Sequence, residues 1–174
     1  MEELASGFAQ AFQGTELSGE TIVLRLALAA MLGAVLGFER EWRAKPAGLR
    51  THMVTALAAA TFAILTLEMI ALYSGGADNV RADPTRLIEA VTSGVAFLAA
   101  GVILHARGHV EGLTTGAGMW LAGAVGVAAG LGYALIAALA AFLGLFIVIA
   151  LRSVSHNVPL RKSGSEKRSD EKNA

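Results

Sequence analysis

From Gly112 to Leu151 the chain runs for forty residues without an Asp, Glu, Lys or Arg. As a helix that stretch is about 60 Å long, enough to cross a ~30 Å hydrocarbon core twice. The break between two crossings falls at Gly130-Leu131-Gly132-Tyr133, where glycines permit a tight hairpin and Tyr133 suits a membrane interface. Three more apolar runs precede it: Thr21–Phe38, Met53–Tyr73 and Ile88–Leu104. The pattern predicts an all-α integral membrane protein, a bundle of five transmembrane helices. Only 16% of the residues are charged, where a soluble domain carries about a quarter. There is no cysteine, which excludes a disulfide framework, a thiolate zinc site and a cysteine nucleophile. A net charge of zero argues against a dedicated nucleic-acid binder.

Basic residues set the expected orientation. With five spans, Arg40, Arg43, Lys45, Arg50, Arg107 and six more from Arg152 onward share one side, eleven in all, against Arg81 and Arg86 on the other. The positive-inside rule then places the N-terminus outside and the C-terminus in the cytoplasm. The first twenty residues hold four glutamates and no Lys or Arg, the reverse of a cleavable signal's basic start. The expected organisation is an extracytoplasmic segment over 1–20, a membrane domain over 21–151 and a tail over 152–174. The tail carries six basic and three acidic residues among Ser, Gly and Asn, a composition that predicts disorder and attraction to anionic lipid.

The spans are rich in small residues. Gly33/Gly37, Gly112/Gly116 and Gly126/Gly130 are GxxxG pairs. Lipid offers little hydrophobic drive between helices, so such pairs predict close backbone packing, within one bundle or in a homodimer. Three charges fall inside the spans: Arg25, Glu68 and Glu89. Their expected depths, about 6, 8 and 8 Å from the outer helix ends, suggest an outer-leaflet layer in which Arg25 bridges a glutamate. The alternative is that each snorkels separately to the interface. Asp83-Pro84 has the form of an N-cap followed by a first-turn proline.

The loop after the first span is the densest polar cluster: Glu39, Arg40, Glu41, Trp42 and Arg43, then Lys45, Pro46, Gly48, Arg50, Thr51 and His52. Glu39 and Arg43 are four apart, the favourable order for a helical ion pair. An Arg50–Glu39 or Arg50–Glu41 bridge would lock the first two helices together, and Arg86 is placed to pair with Glu89 or Glu68. Thr114 and Thr115 can bond across helices or back to their own preceding turn. His105 and His109 have metal-ligand spacing, with Glu111 after them, but Gly108 intervenes and no third ligand follows, so a polar turn is expected. No Ser/His/Asp arrangement and no acid pair in a water-filled cleft is evident, and an enzyme is not expected.

The order of these residues resembles the successive signatures of the MgtC/SapB family of small bacterial inner-membrane proteins. Five blocks carry the resemblance: Glu39-Arg40-Glu41, Ala47-Gly48-Leu49-Arg50-Thr51-His52, Asp83-Pro84-Thr85-Arg86, Gly94 to Gly101, and Gly112-Leu113-Thr114-Thr115. They run in sequence between about Arg25 and Tyr133. The chain departs from the family pattern where Ala96 and Ala99 replace two glycines, Ala90 stands for a Gln, and Gly116 follows the threonine pair. It looks like a short, membrane-domain-only member.

The resemblance implies Glu39, Arg40, Glu41, Gly48, Arg50, Thr51, Asp83, Arg86, Gly94, Gly101, Gly112, Thr114 and Thr115 as the functional motif. It also implies a multi-pass protein of the bacterial inner membrane, linked to growth at low magnesium and, in pathogens, to survival inside macrophages. The implied partner is a larger membrane complex, such as ATP synthase or a P-type magnesium pump; the small-residue helix faces add a second copy of the chain, a dimer being favoured. The alternative function is an oligomeric channel or carrier for magnesium or another cation. Glu39, Asp83, Glu68 or Glu89 would then be its binding groups, because magnesium keeps several waters beside one or two carboxylates.

Overall fold

The structure, a computed structural model, describes residues 14–74, 83, 85–104 and 112–157, with residues 74, 104 and 151–157 described by backbone alone. Every described element is a helix: α1 Gly19–Trp42, α2 Leu49–Ser74, α3 Thr85–Leu104, α4 Leu113–Gly130 and α5 Ala134–Asn157. Four of them, α1 to α4, are long and apolar enough to cross a membrane. Helix α5 carries a shorter apolar stretch, Ala134–Ala150. The helices extend beyond the apolar runs, because charged and polar residues continue the backbone ladder past the hydrocarbon-compatible segment. For the same reason α5 continues to Asn157, so Arg152 to Asn157, expected in the tail, are helical.

Helix α4 forms the centre. It packs against α1, α2, α3 and α5, whereas α2 and α3 touch only sparingly. Five of its 18 residues are glycine and most of the rest are Ala or Val, so four neighbours approach it without bulky side chains in the way. The core beside it is Ala29, Leu32, Leu36, Ala56, Ala60, Ala122, Val125, Ala129, Ala137 and Ala141. This is small-residue packing, the expected route where surrounding lipid is as apolar as the side chains.

The GxxxG pairs work inside the bundle. A Cβ at Gly33 would lie 2.7 Å from the His52 carbonyl oxygen, and one at Gly37 would lie 2.8 Å from Leu49 Cα, so α1 and α2 meet backbone to backbone. A Cβ at Gly126 would run into the carbonyl of Ala56, and one at Gly130 would meet that of Ala60, which joins α4 to α2 in the same way. Gly116 packs on Ala99 of α3, and its partner Gly112 starts α4 with φ 85°, the left-handed region.

The predicted break at Gly130-Leu131-Gly132-Tyr133 is a Schellman end. Gly132, with φ 92°, donates to Ala129 O at 3.0 Å, and Tyr133 donates to Ala128 O at 2.8 Å. Helix α1 ends by the same motif, with Ala44 N–H on Glu41 O and Lys45 N–H on Arg40 O, both at 3.0 Å. Here Ala44 holds φ 49°, a conformation that costs a non-glycine residue about 1–2 kcal/mol. The junction that follows holds it there.

Candidate functional site at the junction of the first two helices

The last turn of α1 and the first of α2 enclose the motif acids. Glu39 and Arg40 are each only 8% exposed. Arg40 donates from Nε and Nη2 to Glu39 Oε2, both at 2.6 Å, and Glu39 Oε1 pairs with Arg43 one turn on. The expected Glu39–Arg43 pair is therefore present and forms half of an Arg–Glu–Arg group. Removing one partner of such a buried group costs about 3–5 kcal/mol, because the other charge is stranded.

Glu41 has a different role. Its carboxylate accepts from the Leu49 N–H at 3.0 Å, a negative charge on the open N-terminus of α2. A Cβ at Gly48 would collide with that carboxylate, so the glycine is what lets it approach. The Gly48 carbonyl in turn takes the His52 N–H at 3.2 Å and lies 2.8 Å from His52 Nδ1. Because a carbonyl only accepts, Nδ1 carries the proton and Nε2 the lone pair. His52 is fully buried, and Nε2, with no hydrogen-bond partner among the described residues, faces Gly118 of α4 at close range. Sequence reading placed His52 in a motif block but not among the site residues. The available signal was a histidine one turn inside an apolar run, directly after the glycine whose carbonyl it binds.

The expected bridge from Arg50 to Glu39 or Glu41 is not made. Both glutamates are occupied as described, and Arg50 is exposed with no ion pair among the described residues. Thr51 is half-buried and its carbonyl accepts from Thr55 Oγ1 at 2.8 Å. On α4, Thr115 is buried against the bundle and Thr114 faces outward. The motif is thus divided. Glu39, Arg40, Glu41, Gly48 and His52 join the ends of α1 and α2, Thr115 is buried on α4, and Arg50 and Thr114 are exposed.

At the opposite end the charges find backbone instead of one another. Arg25 Nη1 donates to the Gly130 carbonyl at 2.9 Å, on the negative end of α4. Glu68 accepts from Glu16 N–H at 2.7 Å and Leu17 N–H at 2.9 Å, pinning the chain that leads into α1. Glu89 is exposed on α3. Among the described residues no ion pair joins Arg25, Glu68 and Glu89, so the charge layer is replaced by helix-end contacts. Arg86 likewise pairs with neither Glu68 nor Glu89 among them.

Asp83 does begin α3. Its carboxylate accepts from the Thr85 N–H at 2.9 Å and the Thr85 hydroxyl at 2.7 Å. The Thr85 hydroxyl and then its N–H hold the Asp83 carboxyl below the ordinary carboxylate range against desolvation, with the Arg86 charge a lesser help. His105, His109 and Glu111 lie outside the described residues, among which no group of three or more metal-ligating side chains occurs.

These features define a class: a multi-helix membrane protein whose charged motif closes a corner between two helices. The sequence profile of the MgtC family matches residues 26–157, and the chain belongs to that family, which is not an enzyme family. An uncharacterized protein of Haemophilus influenzae is 37% identical over 75% of this chain and 54% of its own length. The Escherichia coli K12 protein named "Putative magnesium transporter YhiD" is 38% identical over 63% of this chain and 51% of its own. Protein MgtC of Brucella abortus is 42% identical over 62% and 41% respectively. The chain thus spans about half the length of the curated relatives it matches. No solved structure matches it.

Proposed function

We propose that this chain is a small regulatory protein of the bacterial inner membrane, linked to growth at low magnesium and to intracellular survival in a pathogen host. It acts by binding a larger membrane transport complex, such as ATP synthase or a P-type magnesium pump. In this reading α5 completes five spans, the N-terminus lies outside, and the Glu39 corner faces the cytoplasm. The chain forms a homodimer.

The observation that carries this reading is the use made of the acids. Glu39, Glu41 and Glu68 each hold protein donors, and the helices between them meet through Ala and Gly. Such acids brace a bundle; a cation path needs oxygens turned toward an ion. Arg50 on α2 and Thr114 on α4 are exposed and are the motif groups available to a neighbour. The name carried by the Escherichia coli relative favours a second reading, magnesium transport by an oligomer.

Purification in mild detergent from magnesium-starved cells separates the two. Regulation predicts a stoichiometric membrane partner that is lost with Arg50→Gln or Thr114→Val while expression is unchanged. Recovery of the chain alone, with magnesium flux in liposomes, would establish the transport reading instead.

A further inference from the structure

The two sides of α3 differ in kind. Val95 and Ala99 are buried against α4. The opposite side presents Ala90, Gly94, Phe97 and Gly101, spaced four, three and four, the period of a helix–helix seam. A Cβ added at Gly94 or at Gly101 would meet none of the described residues within 4 Å, so neither glycine is needed by the packing among them. Among the described residues an open apolar groove of about 930 Å³ runs between α2 and α3; Ala90 and Gly94 of the seam line it, with Arg86 and Asp83 at one end and Leu98 toward the other. A projecting helix with a slot along one flank is a knob and a hole on the same molecule.

Charge supplies the occupant. Arg86 lines the mouth of the groove, whereas Glu89 stands exposed on α3 outside it, about 6 Å along the helix from Thr85. A carboxylate at that depth in lipid needs a partner. With a twofold axis along the membrane normal, equal depths of two copies meet, so Glu89 of one copy would lie within about 5 Å in depth of Arg86 of the other. That is the reciprocal contact an isologous interface requires.

We propose that a second copy of this chain docks here: the seam of α3 enters the α2/α3 groove of its partner, with Gly94 and Gly101 allowing close approach and Arg86–Glu89 pairs closing one end. This assignment rests on the homodimer proposed above and names its surface.

Because the chain has no cysteine, single-cysteine variants report on one face at a time. Ala90→Cys and Phe97→Cys on α3, with Leu139→Cys and Leu143→Cys on the exposed face of α5 as controls, would be oxidised in native membranes and run without reductant. The expected result is conversion of the α3 variants, and not the α5 variants, to covalent dimers. Gly94→Leu added to Ala90→Cys should abolish the dimer while the protein stays in the membrane. Arg86→Glu and Glu89→Arg should each lower the yield, and together they should restore it.

Covalent dimers from α5 alone would overturn this surface and leave the dimer standing. No covalent dimer from either face would overturn this surface, and a monomeric particle mass of the wild-type chain in mild detergent would overturn the dimer as well.

Discussion

Gly126 on α4 and Gly94 on α3 are the same residue on adjoining helices in opposite circumstances. At Gly126 the carbonyl of Ala56 already occupies the space a side chain would need; at Gly94 none of the described residues does. The outward faces carry the same contrast. Helix α5 presents Leu135, Leu139, Phe142, Leu143, Phe146 and Ile147 to the outside, bulky and apolar, as lipid favours. Helix α3 also exposes Ile88, Phe97 and Leu98, but among them it presents Ala90, Gly94 and Gly101 with Glu89 and Arg86. Small residues therefore mark two kinds of contact here. On α1, α2 and α4 the contact is made within the chain; on α3, Gly94 and Gly101 meet none of the described residues, and the proposed dimer would use them.

The largest effect that would test this contrast is at the closed contact. Gly126→Val forces α4 away from α2, and folded protein should fail to accumulate in the membrane. Ordinary overpacking costs about 1–3 kcal/mol, but here the obstacle is backbone and has no rotamer to yield. Normal accumulation and thermal stability of this variant would break the comparison at once.

Next comes the corner that fixes α1 on α2. Glu39→Gln strands Arg40 and Arg43 and should lower stability by about 3–5 kcal/mol, read as a fall in melting temperature in detergent. If the variant melts with wild type, the Arg–Glu–Arg group is ornamental. A smaller loss follows at the other end. Arg25→Leu removes a charged donor from the Gly130 carbonyl and should cost about 1.5–3 kcal/mol, toward the lower figure because the guanidinium is part-exposed. The smallest effect belongs to the open helix. The lowered Asp83 pKa means that its cap on α3 is present above the ordinary carboxylate range and is lost as pH falls through the depressed value. A carbon-13 carboxyl titration should show Asp83 below free aspartate, and Thr85→Val should move it upward.

Hydropathy made the helices legible, because a forty-residue uncharged run has few other homes. It also located the hairpin at Gly132 and the cap at Asp83, both of which depend on local chemistry alone. It left the azimuth of each helix open. Arg25, Glu68 and Glu89 have depths that suggest one layer, yet whom a charge meets depends on which helices adjoin it. The central place of α4 puts a helix end next to Arg25, and the chain entering α1 lies next to Glu68. The missed Arg50 bridge has the same origin: a carboxylate beside a helix N-terminus has backbone N–H groups closer than any flexible guanidinium. Helix α4 itself shows little in sequence, since uniform smallness has no preferred side.

The most direct measurement of the central claim is the melting temperature and the particle mass of Gly94→Leu in mild detergent or lipid nanodiscs. Helix propensity favours leucine over glycine by roughly 0.5–1 kcal/mol, and the space around Gly94 is open. The account predicts a melting temperature equal to or slightly above wild type, with the particle falling from dimer to monomer. A variant that melts early, or one that remains dimeric, would contradict it.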